Sequence, residues 1–237
     1  MTDQELFTRV RELRERGSSP KQIARALGMA PSAVAPLVRQ IAAAQQAHTD
    51  PADRALLGCW INPGWSVGLG LAEASDEWAA TDPQAGVEVG PSGLVHVLVA
   101  RQERASRATV CGFLIDVYCL GVKNAIGPLP MSIGSIDDFR REFFSTLDVS
   151  PLVAPLELAQ HLVHGSVAYA RGLGFEPHPD FGPTAPYLGA PATPTPIQFG
   201  RDGKPLYISG PYDDPHAIIR TLESTVGAGN FDVVTHV

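Results

Sequence analysis

The longest apolar run of the chain covers residues 109–124 (TVCGFLIDVYCLGVKN) and contains one carboxylate, Asp116. In an extended strand, the odd and the even positions of this run would form two faces, and both are apolar apart from Asp116. This pattern predicts a buried strand at the centre of a covered sheet. Residues 94–101 (LVHVLVAR) predict a second strand, and the polar residues 102–107 lie between the two. The pattern therefore predicts an antiparallel hairpin built around one long central strand.

Patterns downstream predict shorter elements around that hairpin. Helical spacing predicts helices over residues 136–147, 155–173 and 215–226, with Asp214 as the cap of the last. Turn-forming residues predict loops over 127–130 and 182–196, a hairpin over 197–208 with an Asp202–Gly203 turn, and a final strand over 230–237. Residues 58–237 thus predict an α+β domain with a mainly antiparallel sheet of four or five strands and three helices.

The first 48 residues have a different, helical pattern. A first helix ends at Gly17, a second is capped by Ser19 and ends at Gly28, and a third opens at Pro31. An Ala- and Gln-rich stretch then leads to Pro51, which predicts the boundary between this domain and the larger one.

Residues 5–45 resemble the helix-turn-helix family of DNA-binding domains. The resemblance lies in a small residue, Ala24, where two helices cross, followed by Gly28 at the turn and Val34 beyond it. The other core positions of the motif match Ile23, Leu27 and Leu37. The resemblance implies a tri-helical fold and a DNA partner contacted through residues 18–45.

In that family, side chains near the start of the third helix reach base edges in the major groove. The matching positions are Pro31, Ser32, Ala33 and Pro36, of which only Ser32 carries a hydrogen-bonding side chain. Lys21, Arg25 and Arg39 remain to hold phosphates. The sequence leaves open a second interpretation, in which the tri-helical domain serves protein contact or dimerisation instead of DNA binding.

The distribution of charge agrees with a DNA-binding first domain. The chain of 237 residues carries a net charge of −7, whereas residues 1–50 contain seven basic and five acidic side chains and therefore carry +2. The remainder carries −9, which discourages contact with nucleic acid outside the first domain. With charged residues throughout the first twenty positions and no membrane-length apolar run, we expect a cytoplasmic protein with no membrane partner.

The larger domain contains candidate catalytic residues, Asp116, His178 and Asp180. A carboxylate within an apolar strand loses solvation, which is common at functional sites, although a structural carboxylate bonded to backbone donors has the same signature. His178 and Asp180 lie in a proline-stiffened segment and could form a general base with its orienting carboxylate.

The metal and cofactor signals are weaker. His161 and His164 have i, i+3 spacing that would allow a metal site with His178 and Asp180, but we interpret the two as surface histidines of an alanine-rich helix and predict no metal. No motif identifies a cofactor, and the three cysteines are read as buried thiols. The sequence therefore predicts a DNA-binding regulator whose larger domain senses a ligand or forms a homodimer, with a hydrolase-like enzyme as the alternative.

Overall fold

The computed structural model describes residues 3–48, 50–72, 76–85, 93–147 and 149–235. The chain divides into two compact units, Met1–Asp53 and Arg54–Val237.

The first unit is helical in its described part. Its helices are α1 (Asp3–Glu15), α2 (Pro20–Ala26) and α3 (Pro31–His48), followed by a short 3-10 helix, Pro51–Asp53. Their apolar faces meet in one core, whose buried members are Val10, Ile23, Ala24, Val34 and Ile41. The side chain of Ala24 is small and lies in this core, so α2 can approach its neighbours closely.

The second unit contains a five-stranded, fully antiparallel sheet with the strand order β5-β4-β3-β1-β6. Its strands are β1 (Leu56–Ile61), β3 (Leu94–Arg104), β4 (Arg107–Asp116), β5 (Gly121–Ser132) and β6 (Leu152–Val153). Two smaller sheets pair β2 (Gly70–Leu71) with β7 (Ile197–Gln198), and β8 (Leu206–Ile208) with β9 (Asp232–Val234). The mainly antiparallel α+β architecture and the hairpin of β3 and β4 are confirmed.

Helices cover both faces of the five-stranded sheet. The described helices of this unit are α4 (Asp76–Ala79), α5 (Ile136–Phe144), α6 (Leu156–Gly172), α7 (Phe181–Leu188) and α8 (Pro215–Thr225). Val97, Phe113 and their neighbours pack in the main core with residues of α6 and α7, whereas Leu98, Val110 and their neighbours pack with α5. Apolar residues on alternating faces of the strands are therefore explained by the two layers of helix.

The prediction of one strand over residues 109–124 is wrong, because the run is two strands joined by a tight turn. β4 ends at Asp116, β5 begins at Gly121, and the two pair in antiparallel fashion. Gly121 has φ +67°, in the left-handed region that favours glycine. Val117, Tyr118 and Cys119 are buried in the turn, so their apolar character reflects burial and not an extended backbone.

Three predicted loops or pairings also differ. Residues 127–130 belong to β5, where prolines are tolerated because β5 is an edge strand of the sheet. The start of the predicted 182–196 loop lies in α7. Within 197–208, Arg201 and Lys204 form a bridge around the predicted Asp202–Gly203 turn, but β7 pairs with β2 and β8 with β9.

The predicted helices over 136–147, 155–173 and 215–226 are confirmed within a few residues, the first ending as the 3-10 turn Ser145–Leu147. Asp214 caps α8 and accepts a hydrogen bond from the Ala217 backbone nitrogen at 3.0 Å. The predicted last strand is β9, which covers only Asp232–Val234 of residues 230–237. In the described part of the chain, no helix combines the length and the apolar character needed to cross a membrane.

Candidate functional site

The segment from Ser19 to Pro31 holds α2 and α3 in a defined local arrangement. The Ser19 hydroxyl accepts a hydrogen bond from the Gln22 backbone nitrogen at 3.3 Å, and the Gln22 side-chain oxygen accepts one from the Ser19 nitrogen at 2.8 Å. This reciprocal pair is a capping box, which satisfies backbone donors at the start of α2. Gly28 has φ +63°, so the chain leaves α2 through a left-handed turn before α3 begins.

The four predicted DNA-contacting residues all lie on α2 or α3 and are exposed: Lys21, Arg25, Ser32 and Arg39. Arg39 donates through Nε to the Ala35 carbonyl at 3.3 Å, which leaves the outer N–H groups of its guanidinium for other partners. Among the described residues, no acidic side chain pairs with Lys21, Arg25 or Arg39.

One basic side chain of α1 differs in this respect. Arg9 forms an ion pair with Glu12 at 2.7 Å on the same helix. The charged groups of Lys21, Arg25 and Arg39 on α2 and α3 therefore remain available to a partner molecule. The other exposed positions at the start of α3, Pro31, Ala33 and Pro36, have no side chain that can donate a hydrogen bond to a base.

Asp116 occupies the end of β4 and shapes the turn into β5. Its Oδ1 accepts hydrogen bonds from the backbone nitrogens of Tyr118 at 2.9 Å and Cys119 at 3.1 Å, and its Oδ2 accepts one from Leu120 at 3.2 Å. Burial raises the pKa of Asp116 to about 6, although these N–H donors and the positive charge of Lys123 oppose the rise. All three contacts are to backbone donors of the turn, which is the structural role that the sequence left open.

His178 and Asp180 lie between α6 and α7, at the surface. The Nδ1 atom of His178 is 3.6 Å from Oδ2 of Asp180 and accepts a hydrogen bond of 3.3 Å from the Asp180 backbone nitrogen. An Nδ1 that accepts carries no proton to donate to the carboxylate. In a base-and-carboxylate pair the Nδ1 proton is donated to the orienting carboxylate, so this geometry does not form one.

The structure brings His178 near β5 through its backbone. The His178 nitrogen donates to the Val122 carbonyl at 2.9 Å, and Asp116 pairs with Gly121 one residue earlier on the same strand. Lys123 follows Val122 on β5, and its Nζ forms an ion pair with Asp213 at 3.0 Å. Asp213 also accepts hydrogen bonds from the Gly210 nitrogen at 2.8 Å and the Tyr207 hydroxyl at 3.3 Å. Lys123 is thus engaged in joining β5 to the segment before α8.

The interpretation of His161 and His164 as surface histidines is wrong for His161. His161 is 1% exposed and its ring lies against Trp78, with centroids 5.6 Å apart. His164 is half-buried and its Nε2 lies 2.9 Å from the Gly189 carbonyl oxygen. Among the described residues, no group of three or more His, Cys, Asp or Glu side chains could hold a metal ion.

The cysteines are buried free thiols, as predicted. Burial raises the pKa of Cys59 and of Cys111 to about 12, and it raises the pKa of Cys119 as well. A thiol that stays protonated at neutral pH is a poor nucleophile. The arrangement therefore gives Cys119 a packing role at the β4–β5 turn.

One polar side chain near a cavity, His96, was not singled out from the sequence. It lies on β3 on the same face as Leu98, and a cavity of about 230 Å³ borders it. Its Nδ1 is buried and has no hydrogen-bond partner among the described residues. The signal in the sequence was a single imidazole inside an apolar strand, LVHVLVAR, where most neighbours are aliphatic.

Comparison with known proteins adds no further information on the site. No protein-family model matches the sequence, and no curated protein or solved structure is similar to it.

Proposed function

We propose that the protein is a DNA-binding regulator. Its first unit would bind DNA through α2 and α3, and its acidic second unit would sense a ligand or mediate assembly. The observation that carries the proposal is the set of exposed cations Lys21, Arg25 and Arg39, which have no acidic partner among the described residues. Phosphate contacts from such side chains supply most of the affinity of many DNA-binding proteins.

The composition of α3 specifies what kind of binding to expect. Base reading commonly uses Arg, Lys, Asn or Gln near the start of the recognition helix, and only Ser32 is available there. Pro36, inside α3, has no backbone N–H to donate. We therefore expect affinity dominated by phosphate contacts, with discrimination among sequences through Ser32 and DNA shape.

The enzyme alternative has less support from the contacts. Asp116 is bonded to three backbone nitrogens, and the His178 Nδ1 accepts a backbone hydrogen bond instead of donating to Asp180. Neither arrangement presents an activated base to a substrate. The exposed cations of α2 and α3 support the regulator proposal instead.

The proposal is tested with the full-length protein and a triple variant, Lys21→Gln, Arg25→Gln and Arg39→Gln. Binding to a pool of genomic DNA fragments is measured over a salt series, and the retained fragments are sequenced. Each lost phosphate contact should reduce the magnitude of the slope of log affinity against log salt by roughly 0.9, so the triple variant should lose about 2.7.

A matched control removes the same charge elsewhere. Arg107→Gln, Arg171→Gln and Arg220→Gln change three exposed residues of the second unit and should leave the salt slope near that of the wild type. Equal losses in both triple variants, or no binding by the wild-type protein at low salt, would contradict the proposal.

A further inference from the structure

The solvent side of α3 includes an amide side chain, Gln40. Ala33 and Pro36 precede it by seven and four residues, so helical spacing places the three on one face of the helix, and all three are exposed. Val34 and Ile41 lie in the core of the first unit instead. Ala33, Pro36 and Gln40 therefore form an outer face of α3 that a partner molecule can reach.

The amide of Gln40 is available for hydrogen bonding. Its side chain is exposed and has no hydrogen-bonding or ionic partner among the residues that the structure describes. The neighbouring Arg39 donates through Nε to the Ala35 carbonyl and keeps its outer N–H groups for a phosphate. A group that can donate and accept at once thus lies beside a cation that attracts the DNA backbone.

The dimensions of DNA decide which groove the outer face of α3 can enter. An α-helix with its side chains is about 10–12 Å across, which fits the major groove of about 12 Å and not the minor groove of about 6 Å. Ala33 and Gln40 are separated by roughly 10 Å along the helix axis at about 1.5 Å per residue. That length corresponds to about three base-pair steps of about 3.4 Å each.

The side chains of the outer face match the groups that A·T pairs present in the major groove. A glutamine amide bonds adenine in two places, since it donates to N7 and accepts from the N6 amino group. Ala33 and Pro36 present only C–H groups, which suit the C5-methyl group of thymine. Guanine presents two acceptors, so the amide oxygen would find no donor there, and cytosine has no methyl group.

We propose that α3 selects A·T base pairs, with the Gln40 amide bonded to adenine and with Ala33 and Pro36 packed against thymine methyl groups. This inference rests on the proposed function, because it specifies which DNA the first unit would prefer. It adds a base-reading residue to Ser32 and to DNA shape as sources of discrimination.

The test uses a short duplex with a central run of alternating A·T pairs, a matched duplex with G·C pairs, and two modified forms of the first. One form replaces adenine by 7-deazaadenine, which lacks the N7 acceptor. The other replaces thymine by uracil, which lacks the methyl group. Both modifications preserve base pairing, so they separate contacts with base edges from the effects of DNA shape. The affinity of the full-length protein for each duplex is measured at low salt.

The wild-type protein should bind the A·T duplex more tightly than the G·C duplex. 7-Deazaadenine should weaken binding roughly threefold to tenfold, the net effect of one hydrogen bond. In Gln40→Ala, which introduces the residue that favours helices most, this loss should disappear. Uracil should weaken binding roughly fourfold for each methyl contact removed, and the loss should be smaller in Pro36→Ala.

A matched control removes an exposed amide elsewhere in the first unit. Gln4 lies on α1 and is exposed. Gln4→Ala should therefore keep the full sensitivity to 7-deazaadenine that the wild-type protein shows.

The proposal is overturned if the wild-type protein binds the A·T and G·C duplexes equally, or if Gln40→Ala responds to 7-deazaadenine as the wild type does. Binding that uracil leaves unchanged would reject the methyl contacts of Ala33 and Pro36. Each of these results, with salt-dependent DNA binding intact, rejects base selection by α3 and leaves the proposed function standing. Absence of binding to every duplex at low salt would contradict both.

Discussion

Asp116 joins β4 to β5 through three backbone hydrogen bonds to its carboxylate. Two effects act on it in opposite directions. Removal from water favours the protonated carboxyl, whereas the N–H donors favour the ionised form, and the desolvation effect is larger because the pKa rises to about 6. The consequence is a stability that depends on pH.

The sign of that dependence follows from proton binding. The ordinary pKa of Asp116 is 3.8 and burial raises it to about 6, so between these values the folded protein keeps a proton that the unfolded chain has released. Stability contributed by Asp116 is therefore greatest below about pH 4 and falls as pH rises through about 6. The fall should be on the order of 3 kcal/mol, at 1.36 kcal/mol for each pKa unit.

The measurement is urea unfolding of the wild type and of Asp116→Asn across this pH range. The difference between their free energies of unfolding should change with pH, because the amide does not titrate. A matched substitution at an exposed carboxylate, Asp138→Asn, should leave the pH dependence of that difference small. Parallel curves for the wild type and Asp116→Asn would refute the expectation.

At the scale of elements, α5 packs closely against the sheet at Gly112 of β4. A Cβ atom on Gly112 would lie 2.6 Å from the Cε2 atom of Phe143 and 2.8 Å from the Cγ2 atom of Ile126. Both neighbours line the cavity beside His96. The absence of a side chain on β4 at this point lets the Phe143 ring of α5 lie directly on the strand.

Substitution of Gly112 should therefore lower the stability of the second unit. Gly112→Ala must displace the Phe143 ring or Ile126, and overpacking of this kind lowers the free energy of unfolding by roughly 1–3 kcal/mol. Thermal or urea unfolding measures this loss.

Gly172, the last residue of α6, provides the control. Beyond its chain neighbours and the backbone of its own helix, no atom of the described residues lies within 4 Å of the place that its Cβ would occupy. Gly172→Ala should be neutral or stabilise the protein by up to about 1 kcal/mol, since alanine restricts the unfolded chain and favours helix. If Gly112→Ala proves as well tolerated as Gly172→Ala, the close packing of α5 on β4 is not important for stability.

At the scale of the whole molecule, charge and packing both divide the chain into two parts. The compact units meet at residues 53 and 54, close to the point where the charge changes from +2 over residues 1–50 to −9 over the remainder. Each unit also has its own buried apolar cluster. We expect damage to the core or caps of one unit to spread little into the other.

Removal of the α2 cap tests this independence. Ser19→Ala deletes the side-chain oxygen that accepts from Gln22 and should destabilise the first unit by about 1 kcal/mol. Hydrogen exchange should then accelerate severalfold in α2 and α3, while the amides of β3 and β4 keep their protection. Uniform acceleration across both units would show that they unfold together.

Local sequence determined the elements whose signals lie within a few residues. The Ser19 cap, the left-handed Gly28 and the Asp214 cap mark helix ends through hydrogen bonds and backbone angles that neighbouring residues set. The β3–β4 hairpin was predictable for the same reason, since a short polar turn joins two apolar strands. The positions of Lys21, Arg25, Ser32 and Arg39 on exposed helical faces also followed from helical spacing.

Only the tertiary structure decided the rest, because an apolar residue indicates burial and does not reveal whether the backbone there is extended or turns. Residues 117–119 are apolar in a turn for the same reason that residues of β4 are apolar in a strand, as both are covered by other parts of the chain. The partners of β7 and β8 are β2 and β9, and pairing between segments so distant along the chain has no local signal. The cavity at His96 likewise depends on three strands and α5 meeting at one place, which residue spacing along a single strand cannot specify.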